Sequence, residues 1–219
     1  MELDFDWLVR LPLFSGIGIS DLPTMLDCLG SYQKQYEKGE IILLESCEVR
    51  TVGVILKGKI HMVKEDAEGY KTLLMAMKEG EMFGESFACG SCKSARVSFL
   101  AAEPCTILFL PFHRVLHSCK MTCVFHHRLI ENMVGLMGDK NIRLLNKIEV
   151  ISKKTLRDKI LAYLQLQAEE QKKQRFTIPL GRLELAEYLC ADRSAMTREL
   201  SRMKRDGLID YRRNTFQLL

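Results

Sequence analysis

Long apolar runs are missing from this 219-residue chain. No stretch approaches the roughly 18 consecutive apolar residues that a membrane-spanning helix needs, so no membrane partner is expected. The start, Met1-Glu2-Leu3-Asp4, is acidic and lacks the basic region of a secretory leader, which points to the cytoplasm. Catalytic signatures are missing too: there is no nucleophile elbow, P-loop or paired-carboxylate arrangement. A cupin-type metalloenzyme would need clustered imidazoles, yet only His61 falls in an expected strand, with no second His at strand spacing. The chain is therefore expected not to be an enzyme. Nor is there an excess of one charge: 32 Lys and Arg face 28 Asp and Glu, and a net of +4 selects no partner. What remains, 47% hydrophobic and 27% charged residues, is an ordinary globular composition of one or two domains.

The distribution of charge says more than its total. Residues 1–125 hold 13 Lys/Arg against 16 Asp/Glu, whereas residues 151–219 hold 15 against 9. A mildly acidic front and a basic back suggest two modules, the second suited to a polyanion. Eight cysteines without a secretory context do not read as a disulfide framework. They are either small buried hydrophobes or thiols with a sensing or metal-binding role.

The hydrophobic period changes along the chain. After a short helix around Leu22, Leu26 and Leu29 the period changes at Tyr32, and β-rich runs over 40–44, 51–56, 59–63, 71–77, 97–100 and 106–110 are separated by turns at Gly39, Gly58, Gly69 and Gly80. That pattern predicts a small β-barrel or sandwich. Residues 122–150 then read as one long helix. Val134, Asn141 and Ile148 occupy one heptad position, and Ile130, Met137, Leu144 and Ile151 the other, which predicts a parallel homodimer seam. Residues 151–155 are the expected hinge. The resulting division is a sensing barrel over 1–121, a dimerisation helix over 122–150 and a third module over 151–219.

The sharpest pattern lies in that third module. Residues 182–189 form one helix, Cys190-Ala191-Asp192 a short turn, and residues 193–205 a second helix with Met196, Leu200 and Met203 facing inward. This is a helix-turn-helix, and its second helix presents Arg193, Ser194, Thr197 and Arg198 near its start, suited to base edges in a major groove of double-stranded DNA. Gly207 to Leu219 form a hairpin wing whose tip carries Arg212 and Arg213, placed for phosphate.

These parts, in this order, resemble the cyclic-AMP receptor protein/Fnr (Crp/Fnr) family of bacterial transcription regulators. The motifs that carry the resemblance are Lys38-Gly39-Glu40, Leu56-Lys57-Gly58-Lys59-Ile60, Gly80-Glu81-Met82-Phe83-Gly84-Glu85, Leu185-Ala186-Glu187-Tyr188-Leu189 and Arg193-Ser194-Ala195-Met196-Thr197-Arg198. Cys190 departs from the glycine that many such turns carry. The resemblance implies an α+β chain: a cyclic-nucleotide-binding-like, cupin-type barrel, a dimerisation helix and a winged helix-turn-helix. It also implies a homodimer on a palindromic site, RNA polymerase as a partner, and a signal sensed in the barrel.

In nucleotide-binding members the segment after Phe-Gly-Glu holds ribose and cyclic phosphate. The matching residues here are Gly84, Glu85, Ser86, Lys93 and Ser94, in a segment one residue shorter, with lysine where an arginine fork is usual and Arg96 three residues further on. Leu144 and Leu145 stand where the dimer helix would offer hydroxyls. Both departures argue against cyclic AMP and leave another small-molecule effector open. The thiols supply a second idea: Cys89 and Cys92 form a C-x-x-C, and Cys119 and Cys123 precede His126, sets that could bind metal or form a redox disulfide. The N-terminal cysteine cluster of iron–sulfur members has no counterpart, since only Cys28 and Cys47 precede residue 89.

Overall fold

The computed structural model describes residues 3–117 and 124–219; Cys119 and Cys123 lie outside that range. The chain divides into two compact units. One comprises Met1–Val63 with Ala76–Asn141, the other Lys64–Met75 with Ile142–Leu219.

The first unit opens with two helices, α1 (Phe5–Leu8) and α2 (Leu22–Leu29). Asp4 caps α1 by accepting from the Trp7 amide at 3.0 Å, and Pro23 occupies the first turn of α2, where its missing N–H costs nothing. Eight strands follow: β1 (Tyr32–Tyr36), β2 (Ile41–Leu43), β3 (Thr51–Lys57), β4 (Ile60–Glu65), β5 (Lys71–Met77), β6 (Met82–Phe83), β7 (Ser98–Ala101) and β8 (Cys105–Pro111). They form two four-stranded sheets ordered β1-β8-β3-β6 and β2-β7-β4-β5. The expected turn glycines 39, 58, 69 and 80 all have positive φ. At Gly53 the demand is steric instead: a Cβ there would lie 2.3 Å from the Phe83 ring. Phe83 can cross β3 only over a residue with no side chain.

The sequence pattern missed β1, whose residues are mostly polar. It is fixed by backbone pairing with the buried strand β8, Tyr32 opposite Phe109 through Tyr36 opposite Cys105, and not by an apolar face. Between β6 and β7 runs a five-residue helix, α3 (Glu85–Cys89), and α4 (Phe112–His117) follows β8. Leu13, Phe14, Leu22 and Leu29 meet Val52, Val54, Leu108 and Leu110 in one core. Leu129 and Met133 of the long helix α5 (Val124–Ile151) complete it.

Helix α5 has two apolar stripes. Leu129, Met133, Lys147 and Val150 are buried, whereas Val134, Ile142, Leu145 and Ile148 are exposed. Of the two heptad positions expected in the seam, one is exposed. Val134, Asn141 and Ile148 are exposed as expected, but Ile130 and Met137 pack against the barrel core. The free seam runs through Val134, Gly138, Asn141, Leu145 and Ile148, in steps of four and three.

In the second unit Lys64–Met75, which holds the β4–β5 turn and most of β5, and residues 142–151 accompany α6 (Leu156–Gln171), β9 (Arg175–Thr177), α7 (Arg182–Tyr188), α8 (Arg193–Arg205), β10 (Ile209–Arg212) and β11 (Thr215–Leu218). Thr155 caps α6 by accepting from the Asp158 amide. The three strands are ordered β10-β11-β9. Phe176, Leu185, Leu189, Met196, Leu200, Met203 and Phe216 are among the buried side chains that close this unit.

Candidate nucleic-acid interface and sensor segment

The interface is built on α8. Met196, Leu200 and Met203 are fully buried, and that fixes the rotation of the helix. Arg193, Ser194, Thr197 and Arg198 are consequently all exposed on its opposite side. Asp192 caps α8, accepting from the Ala195 amide at 2.8 Å and the Ser194 hydroxyl at 2.6 Å. Those two bonds hold its carboxyl below the usual range. Thr197 donates its hydroxyl to the Arg193 carbonyl at 2.9 Å. The two hydroxyl protons are thus engaged within the helix, which leaves Ser194 and Thr197 facing outward as acceptors and the arginines as the donors.

Arg157 on α6 sets the position of α8, pairing with Glu199 at 2.6 Å and Asp206 at 2.8 Å. At the wing, Arg212 and Arg213 are exposed, and Arg213 has φ +54°. The Arg213 carbonyl accepts from Arg182 Nη2 at 2.9 Å. The Arg182 guanidinium lies 5.0 Å from the Tyr211 ring centre and 5.3 Å from that of Phe216, a cation–π stack that ties the wing to the start of α7. Burial pushes its pKa down.

The candidate sensor segment begins at Gly84, with φ +81°, and α3. Glu85 is only 1% exposed. Its Oε1 accepts from Lys140 Nζ of α5 at 2.6 Å, and the same ammonium donates to the Met82 carbonyl at 2.8 Å. Ser86 donates to Oε1 at 3.3 Å, while Oε2 is buried with no partner among the described residues. Lys93 is exposed and directs its ammonium at the Ala88 carbonyl, 3.4 Å away. Ser94 bridges to Glu48. Leu144 is half-buried and Leu145 lies on the exposed stripe of α5.

A domain family described as the cyclic nucleotide-binding domain matches residues 33–120, and the Crp-like helix-turn-helix domain matches residues 158–219. The chain belongs to the Crp/Fnr family. It has the fold of a Crp-family DNA-binding transcription regulator with a cyclic-nucleotide-binding-type domain. No curated protein matches the chain. Solved structures with a similar fold include a CooA mutant from Carboxydothermus hydrogenoformans, 20% identical with a TM-score of 0.73, covering 100% of this chain and 92% of that one. Another is the c-di-GMP responsive global regulator CLP of Xanthomonas campestris, 17% identical with a TM-score of 0.71, covering 90% of this chain and 98% of that one. FixK2 from Bradyrhizobium japonicum is 15% identical with a TM-score of 0.63, covering 86% and 92%.

Within this Crp/Fnr chain, sequence reasoning missed three cations that are wholly or partly buried: Lys147, Lys140 and Arg182. Lys147 donates to the Leu73 carbonyl and lies 4.1 Å from the Tyr188 ring centre. Burial pushes it down to about 8. The one available signal was that Lys140 and Lys147 fall a heptad apart, in register with buried Met133. The thiols divide sharply: Cys89 and Cys92 are exposed and Cys105 is buried. His126 is buried, with neither ring nitrogen partnered among the described residues. No three His, Cys, Asp or Glu side chains among the described residues converge as metal ligands.

Proposed function

We propose that the chain works as a homodimer on palindromic DNA, with Arg193, Ser194, Thr197 and Arg198 reading bases and Arg212 and Arg213 holding phosphate. The observation that carries this is the rotation of α8, whose buried methionines and leucine leave those four residues together on the outer face. The exposed seam of α5 supports pairing between two copies; in water, unpaired Val134, Ile142, Leu145 and Ile148 would stay costly. Two-fold symmetry then sets the half-sites about one duplex turn apart, roughly 34–36 Å. We assign residues 1–121 to sensing, 122–150 to dimerisation and 151–219 to DNA, in a cytoplasmic regulator that acts on RNA polymerase.

For the signal, we assign a small molecule other than cyclic AMP. Glu85, the residue placed for a ribose, is already engaged by Lys140, and Lys93 points at a backbone carbonyl. A gel shift with promoter fragments tests the DNA reading. Arg198→Ala should weaken specific binding about 5- to 150-fold, the value of one bidentate base contact. Arg212→Ala should weaken all sequences alike and lower the salt slope by about one. Binding that no promoter fragment supports, or that ignores salt, would overturn it.

A further inference from the structure

We propose that Cys89 and Cys92 are a peroxide-reactive dithiol, with Cys92 the thiol that a hydroperoxide oxidises and Cys89 the one that resolves it. Both are exposed, and they stand at the two ends of a two-residue connection, Gly90-Ser91, between anchored stretches. On one side Cys89 ends α3, and the exit is so tight that a Cβ at Gly90 would lie 2.6 Å from the Ser86 carbonyl oxygen. On the other side the Val49 amide donates to the Lys93 carbonyl at 2.7 Å, and the Ala95 amide to the Cys47 carbonyl at 2.9 Å. Two residues between the thiols is the spacing of a dithiol that can close within one loop.

The two thiols differ in the way such a pair requires. Cys92 is held below the ordinary cysteine range by hydrogen bonding to the Ser94 backbone and then by the Arg96 guanidinium. Partial burial and the nearby Glu85 carboxylate raise Cys89. Cys92 is therefore the better thiolate at neutral pH, and Cys89 keeps its proton until the second step. Cys105, buried and pushed up to about 11, is an internal standard of an unreactive thiol.

The chemistry balances with one hydroperoxide. The Cys92 thiolate attacks a peroxide oxygen, the O–O bond breaks, and sulfenic acid forms while the alkoxide leaves and takes up a proton as alcohol. Cys89 then loses its proton and attacks the Cys92 sulfur. The S–O bond breaks, hydroxide leaves as water, and the disulfide closes. Two thiols are oxidised and one peroxide is reduced to alcohol and water. The disulfide would load the end of the five-residue helix that starts at Glu85, the partner of Lys140. That consequence for DNA rests on the regulator reading; the thiol chemistry does not.

The test treats the reduced full-length chain with hydrogen peroxide, blocks remaining thiols by alkylation and digests with trypsin, which releases residues 79–93 as one peptide. The expected result is a loss of 2 Da on that peptide while Cys105 stays alkylated. Cys89→Ser should stop at a sulfenic acid on Cys92 that dimedone captures, and Cys92→Ser should slow oxidation of the peptide at least tenfold. Oxidation of Cys92 no faster than of Cys47 or Cys190, or Cys89→Ser without trapped sulfenic acid, would overturn the proposal. A disulfide that forms while the promoter gel shift stays unchanged would overturn only the link to DNA.

Discussion

Lys140 and Lys147 stand one heptad apart on α5, but the two regions of the molecule receive them differently. In the first unit Lys140 meets a carboxylate, Glu85, at 2.6 Å. In the second, Lys147 meets a carbonyl and the face of a tyrosine ring. The first region pairs its lysine with a carboxylate. The second gives its lysine no carboxylate among the described residues, and the cost of burial appears as a depressed pKa. A long helix can thus bury cations at equivalent positions for opposite electrostatic reasons.

The largest effect should come from breaking the paired region. Lys140→Met leaves Glu85 buried and uncompensated, which should cost about 3–5 kcal/mol in urea unfolding. Adding Glu85→Gln should recover more than half of that loss. A single variant as stable as the native chain would remove the contrast between the two lysines.

A smaller effect should come from the unpaired region. Because the folded pKa of Lys147 is depressed to about 8, the unfolded chain binds more protons between that pH and the ordinary lysine value of 10.5. Stability contributed by this group is therefore lower below pH 8 and rises as pH increases through the window. Relative to Lys147→Met, the native chain should gain about 2 kcal/mol across it, allowing for partial solvent access. Unfolding midpoints of both proteins from pH 7.5 to 10.5 measure the difference, and parallel curves would contradict the assignment. Using the variant as reference removes the contribution of Cys105, whose raised pKa acts in the opposite direction.

The smallest effect concerns the neighbour of Lys147. Cys190 holds φ +52° in the helix-turn-helix turn, and its charge acts to raise the Lys147 pKa. Cys190→Gly should relieve about 1 kcal/mol of left-handed strain and lower the Lys147 pKa slightly further. A denaturant midpoint that moves down would show that the thiol contributes packing worth more than the strain.

Local signals made some elements legible from sequence alone. Helix α8 spans Arg193–Arg205, as its apolar spacing predicts. The left-handed conformation at Cys190 could be read from a residue standing where a glycine usually does. The seam of α5 was legible only in part, because the helix is apolar on two sides and its period alone does not say which side meets the barrel. Glu85 was visible from its motif, but its partner lies 55 positions along the chain. Lys140 and Lys147 look like a solvated face in sequence, and their burial depends on residues far away in the chain. Polar β1 was hidden for the same reason: its strand character comes from β8.

The grouping of the β4–β5 turn and most of β5 with the C-terminal unit has a consequence for how that unit can be produced. Its residues come from two separated stretches, Lys64–Met75 and Ile142–Leu219. A fragment cut at residue 142 would keep Lys147 but lose Leu73, the carbonyl that receives it. During synthesis the hairpin emerges first and must wait for the rest of its unit until α5 has been made. The C-terminal unit is therefore completed by a non-local contact, and an isolated winged helix would not reproduce its surroundings at Tyr188 and Cys190.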